Sequence, residues 1–120
     1  MDVVVIDWEL YLYNSIYFDL GEFPADLYML RYFRGIESCT WVLKGFAEGY
    51  GPLKKDHLGH LAASIAAQTL GCSYVIAEAH TSEGQAKLAV FVRDLVLKAR
   101  EGDSKWFEKG FYGDIWRNSV

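Results

Sequence analysis

Residues 10–20 read Leu10-Tyr11-Leu12-Tyr13-Asn14-Ser15-Ile16-Tyr17-Phe18-Asp19-Leu20, an alternation of aliphatic and aromatic side chains interrupted by Asn14-Ser15. Alternation with a period of two is the pattern of a half-buried strand, and Asn and Ser are turn residues, so the stretch predicts a β-hairpin. A three-residue loop over 14–16 pairs Leu12 with Phe18 and Leu10 with Leu20 on one face. It leaves Tyr11, Tyr13, Tyr17 and Asp19 on the other, with Glu9 beside them.

Working outward, Val3–Ile6 is a β-branched apolar run of the kind buried in a sheet, and it ends at Asp7. After the hairpin, Pro24 suits a helix's first turn, and Gly35 closes the spacing Leu27, Leu30, Phe33, which predicts a helix over 24–34. Ser38–Phe46 is rich in aromatic and β-branched residues and reads as a strand, followed by a glycine-rich loop over 47–51. A second helix is expected over 55–70, with the stripe Leu58, Leu61, Ile65 and Thr69, a Gly71 cap, and small alanines at 62, 63, 66 and 67 that permit close approach to a sheet. Residues 73–79 read as another buried strand.

Ser82-Glu83-Gly84-Gln85 has the spacing of a capping box at the start of a long helix, whose core residues are Leu88, Phe91, Val92, Leu95 and Ala99. Gly102 ends that helix, Asp103 caps a short one carrying Trp106 and Phe107, and 111–116 forms a last strand or a packed tail. The expected fold class is α/β or α+β, a single domain spanning 1–120. A mixed sheet of about four to six strands, with an N-terminal hairpin or meander, carries three main helices.

Composition narrows the classes. The chain has 120 residues, enough to bury roughly 65% of its unfolded surface in one core. With 52% hydrophobic and 23% charged residues and only 2 Pro, disorder and low-complexity repeats are excluded. Residues 1–30 hold six acids (Asp2, Asp7, Glu9, Asp19, Glu22, Asp26) and no base, whereas residues 53–120 are nearly balanced, so the net charge of −4 belongs to the first half. Binding of a nucleic-acid backbone through that half is disfavoured. Of the 19 aromatic residues, twelve lie in the first 50 positions. The start lacks a basic segment before its apolar run, which favours the cytoplasm, and Cys39 and Cys72 have neither disulfide-framework nor metal spacing. The uncharged stretch 61–77 carries Ser64, Gln68, Thr69, Gly71 and Ser73, so no membrane span is expected.

Four sets of residues point to chemistry. Tyr11, Tyr13 and Tyr17 with the acids Asp19 and Glu9 form an acidic aromatic face. Tyr is enriched at interfaces and acids steer toward bases. The favoured reading is a small binding or inhibitor-type module, needing no cofactor and directed at a partner with a basic surface or at its own copy as a homodimer.

Asp7, Glu9 and Glu78, at the ends of two expected strands, are candidates to hold Mg²⁺ for phosphodiester hydrolysis. The strand order and Asp7 resemble the ribonuclease H-like fold, and that resemblance implies a carboxylate-dependent nuclease using these acids. Gly49-Tyr50-Gly51 ahead of Asp56-His57-Leu58-Gly59, between an expected strand and helix, is similar to the acetyl-CoA-dependent N-acetyltransferase superfamily. The resemblance implies coenzyme held at Gly49, Gly51 and Gly59. His57 and His60, three apart on one helix face, are the weak metal candidates, with solvated surface histidines the plainer expectation.

Overall fold

The computed structural model describes residues 16–71, 73 and 76–120. The described residues are 83% helical and no strand occurs among them, which overturns the expected α/β or α+β sheet with its hairpin. The helices are α1 (Ile16–Arg34), α2 (Ser38–Tyr50), α3 (Leu58–Gly71), α4 (Ser82–Glu101), α5 (Ser104–Lys109) and α6 (Gly113–Arg117), with 3₁₀ turns at Lys55–His57 and Ala77–His80. None of the described helices is long and apolar enough to cross a membrane.

The largest correction falls on the stretch that was to decide the fold. Residues 16–20, expected as hairpin loop and second strand, are the first turns of α1, and residues 1–15 lie outside the described residues. The buried positions Leu20, Gly21, Pro24, Ala25 and Leu27 recur at spacings of three and four, the helical period, which prevails over the alternation read across 10–20. Pro24 sits in the body of α1 rather than in its first turn. It lacks the N–H that would bond the Leu20 carbonyl, and its ring is fully buried. Arg31 and Arg34 occupy the last turn, where they favour the negative helix end, and Gly35 at φ 63° closes it.

Ser38–Tyr50, expected as strand and loop, is α2 because Cys39, Leu43 and Ala47, four apart, face the core. Strand propensity at Thr40, Trp41 and Val42 yields to that burial. Cys39 is a buried free thiol, as expected. The expected strand over 73–79 is replaced, where described, by Ser73, Ile76 and the 3₁₀ turn.

The two central helices follow the sequence closely. In α3, Leu58, Leu61, Ile65 and Thr69 are buried together with Ala62 and Ala66, and the small residues admit α1 instead of a sheet. Gly21 of α1 lies so close that a Cβ there would stand 2.5 Å from the Ser64 hydroxyl and 2.9 Å from the Ile65 nitrogen.

In α4, Leu88 and Leu95 are buried, with Phe91, Val92 and Ala99 partly so. The cap is Thr81, whose hydroxyl accepts from the Gly84 N–H at 3.0 Å, rather than Ser82. Gln85 turns away from a capping box and donates to the Ala79 carbonyl at 2.7 Å and to the Ser73 hydroxyl. Gly102 (φ 70°, ψ 27°) ends α4 in the left-handed conformation, and the Asp103 carboxylate accepts from the Trp106 N–H, capping α5. That N–H, then the Lys98 ammonium, hold the Asp103 carboxyl below its ordinary range.

Residues 111–116 form no strand but pack on the core, with Tyr112, Ile115 and Trp116 buried. They enter α6, where Trp116 stacks on Phe107 (4.0 Å, 3°), and the Asn118 amide donates to the Ala47 carbonyl of α2. Two backbone bonds, Val120 N–H to the Leu53 carbonyl and Lys55 N–H to the Val120 carbonyl, clasp residues 53–55 to the segment after α6.

Candidate functional site

Tyr17 enters the fold where α1 meets the start of α3. Its hydroxyl is hydrogen-bonded to His57 Nδ1. Its ring stands edge-on to His57 (5.4 Å, 70°) and nearly parallel to His60 (5.8 Å, 20°). His57 Nε2 lies 3.8 Å from the Asp56 carboxylate. With a neutral imidazole the tyrosine O–H donates to Nδ1, and the Asp56 carboxylate stands near the other ring nitrogen, beyond hydrogen-bond distance. The single helix expected to carry both histidines begins after His57, which closes the 3₁₀ turn, while His60 lies in the first turn of α3; Tyr17 contacts both rings. Asp19 is exposed, and being two residues from Tyr17 on a helix it points to a different side, so the face expected to join them does not form. Tyr11, Tyr13 and Glu9 lie outside the described residues.

The carboxylates are not brought together by the described structure. Glu78 sits in the 3₁₀ turn at Ala77–His80, half exposed, and accepts from the Arg34 guanidinium at 3.4 Å. Asp7 lies outside the described residues, as Glu9 does. Among the described residues there is no group of three His, Cys, Asp or Glu side chains able to hold a metal ion, which covers His57 and His60. The strand and glycine loop expected ahead of the second helix are replaced by helix: Gly49 is inside α2, Gly51 (φ 95°) is its cap, the N–H donating to the Ala47 carbonyl, and Gly59 is the second residue of α3. The sheets that both family resemblances require have no counterpart among the described residues.

A second region was not anticipated. Tyr28, Arg31 and Tyr32 of α1, Thr40 of α2, and Phe111, Asp114 and Arg117 near α6 line a cleft of about 480 Å³. The Tyr28 ring stacks on Phe91 (3.8 Å, 9°) and lies near-parallel to Tyr32 (5.7 Å, 19°), with Phe111 edge-on (5.7 Å, 72°). Burial, then the neighbouring Tyr32, push the Tyr28 phenol well above its ordinary value, so its hydroxyl stays protonated. The spacing of 28, 31 and 32 on a helix was a usable signal. Their partners lie some eighty residues away in sequence and gave none.

The described residues thus form an all-helical assembly, with no group of three metal-ligating side chains among them. Compared with known proteins, the chain is similar to a phosphotransferase, FrzJ, of Cladobotryum sp. The two are 29% identical over 113 residues, covering 94% of this chain and 29% of the relative. The chain therefore spans less than a third of the length of that protein. No protein-family model matches the chain, and no solved structure matches it.

Proposed function

We propose that the chain forms a helical portion of a phosphotransferase and supplies to it the acids of residues 1–15. The observation that carries this reading is the similarity to a phosphotransferase along 94% of the chain. Phosphoryl transfer is largely positioning plus charge neutralisation, and enzymes that perform it hold Mg²⁺ on an aspartate. We place that aspartate at Asp7, directly after the apolar run Val3–Ile6, with Glu9 two positions on; no group of three metal-ligating side chains occurs among the described residues. A pair of carboxylates is an oxygen donor set of the kind Mg²⁺ takes, with water and substrate oxygens completing the shell. When bound, the ion neutralises charge on the transferred phosphoryl group. In this reading the Tyr17 contact with His57 and His60 fixes the start of α1, ten residues after Asp7, against α3.

The same acids were candidates for phosphodiester hydrolysis, and the two reactions differ in the acceptor, a hydroxyl of a small molecule or water. The binding-module reading rests on fewer residues than before, because Tyr17 is engaged by the two histidines and a docking face would depend on Tyr11 and Tyr13.

The test is phosphoryl transfer from γ-labelled ATP with Mg²⁺ to a panel of hydroxylated small molecules, using the full-length protein that carries this chain. Labelled acceptor is expected, with Asp7→Asn lowering the rate by at least a hundredfold and Glu78→Gln leaving it within about twofold. Transfer that survives Asp7→Asn, or cleavage of nucleic acid in place of transfer, contradicts the proposal.

A further inference from the structure

We propose that the cleft between α1, α2 and α6 is a binding site for a small flat-ringed anion, an aromatic carboxylate or phosphate. The site is built from described residues alone and does not depend on the phosphotransferase reading. About 480 Å³ with a mixed lining is the size and character of a small-ligand site.

Two features select the ligand. The first is the run of rings Phe91, Tyr28 and Tyr32, with interplanar angles of 9° and 19°. Tyr32, on the cleft lining, is 49% exposed, so a further flat ring packed on it covers apolar surface now facing water. Phe111, edge-on to Tyr28, closes the slot at the side.

The second feature is charge. Two guanidinium groups reach the cleft against one lining carboxylate, Asp114. Arg117 is committed, since it bonds Asp114 at 2.9 Å and the Glu108 carbonyl as well. Among the described residues, Arg31 is paired with Glu37 at 3.0 Å, and that carboxylate is 78% exposed. An exposed ion pair of this kind contributes little, so a ligand carboxylate or phosphate exchanges with Glu37 at small cost and gains a two-pronged contact. The Thr40 hydroxyl, also on the lining, adds a donor. Ring and anion are therefore recognised on adjacent residues of one helix, Tyr32 and Arg31.

Isothermal titration of the chain with 1-naphthyl phosphate and 1-naphthoate, beside 1-naphthol and inorganic phosphate, tests the proposal. At least one aromatic anion is expected to saturate and to bind at least tenfold tighter than naphthol and than phosphate, and the tighter of the two identifies the anionic group. Arg31→Gln is expected to weaken it at least tenfold and Tyr32→Leu several-fold, with Arg100→Gln on exposed α4 surface unchanged. Both altered side chains are at the surface, so thermal unfolding should stay near that of the parent. Should Tyr32→Leu lower the melting temperature, Arg31→Gln carries the comparison. No saturable binding, equal binding of naphthol, or undiminished binding by Arg31→Gln overturns the site.

Discussion

The contact between α1 and α3 and the cap formed by α5 and α6 solve the same packing problem in opposite ways. Across α1 and α3 the side chains are minimal, with Gly21, Ala25, Ala62 and Ala66 all buried, and the backbones come close enough that Ser64 fills the space a Gly21 Cβ would need. Across the cap the side chains are maximal. Phe107 and Trp116 stack, Trp106 meets Phe107 edge-on, and Tyr112 lies 98% out of solvent against α1, its hydroxyl 3.5 Å from the Pro24 carbonyl. The difference teaches which change each region resists: the cap tolerates no loss of atoms, and the helix pair tolerates no gain.

The largest expected effect is therefore in the cap. Phe107→Ala removes a ring 2% exposed and leaves Trp116 without its stacking partner, and chemical denaturation should show a loss of about 3–5 kcal/mol. Next comes the helix pair, where Gly21→Ala should cost about 1–3 kcal/mol by forcing α1 and α3 apart. Gly45→Ala, in α2 with nothing within 4 Å of the added Cβ, should instead stabilise by about 0.5–1 kcal/mol, because only the helix propensity changes. If Gly21→Ala also stabilised, the close contact would be refuted and the comparison with it.

The smallest effect is a pH dependence at Asp26. Burial first, then the Glu22 charge, raise the Asp26 carboxyl above its ordinary value. The folded state thus holds this proton more tightly than the unfolded chain does. Its favourable contribution is complete below the ordinary carboxylate value and is lost as pH rises through the raised one. Asp26→Asn should accordingly be slightly more stable than the parent at pH 7, and the advantage should vanish at pH 3 in paired thermal melts.

Legibility in the sequence followed the same division between local and long-range causes. Helices α3 and α4 were readable because their stripes, Leu58-Leu61-Ile65 and Leu88-Leu95, and the signals at Gly102 and Asp103, act within a turn or two. Helix α1 was recovered only in its second half, since Pro24 imitates a helix start and the Tyr and Leu alternation before it imitates a strand. Helix α2 was missed because Thr40, Trp41 and Val42 carry strand propensity, while the burial of Cys39, Leu43 and Ala47 that decides the matter comes from packing with the rest of the molecule. At the candidate sites, the nearness of His57 and His60 is a local fact of their three-residue spacing, although His57 lies in the 3₁₀ turn and His60 in α3. Their Tyr17 neighbour, forty residues away, and the pairing of Arg31 and Tyr32 with Phe111 and Arg117 depend on how the helices close, which no spacing records.

The functional account turns on Asp7. Residue-resolved NMR of the 120-residue chain titrated with Mn²⁺, a paramagnetic substitute for Mg²⁺, tests it most directly. The expected result is saturable broadening centred on residues 5–9, abolished by Asp7→Asn and untouched by Glu78→Gln. Broadening that is absent there, or that persists unchanged in Asp7→Asn, would contradict the assignment of the metal-holding acid to this chain.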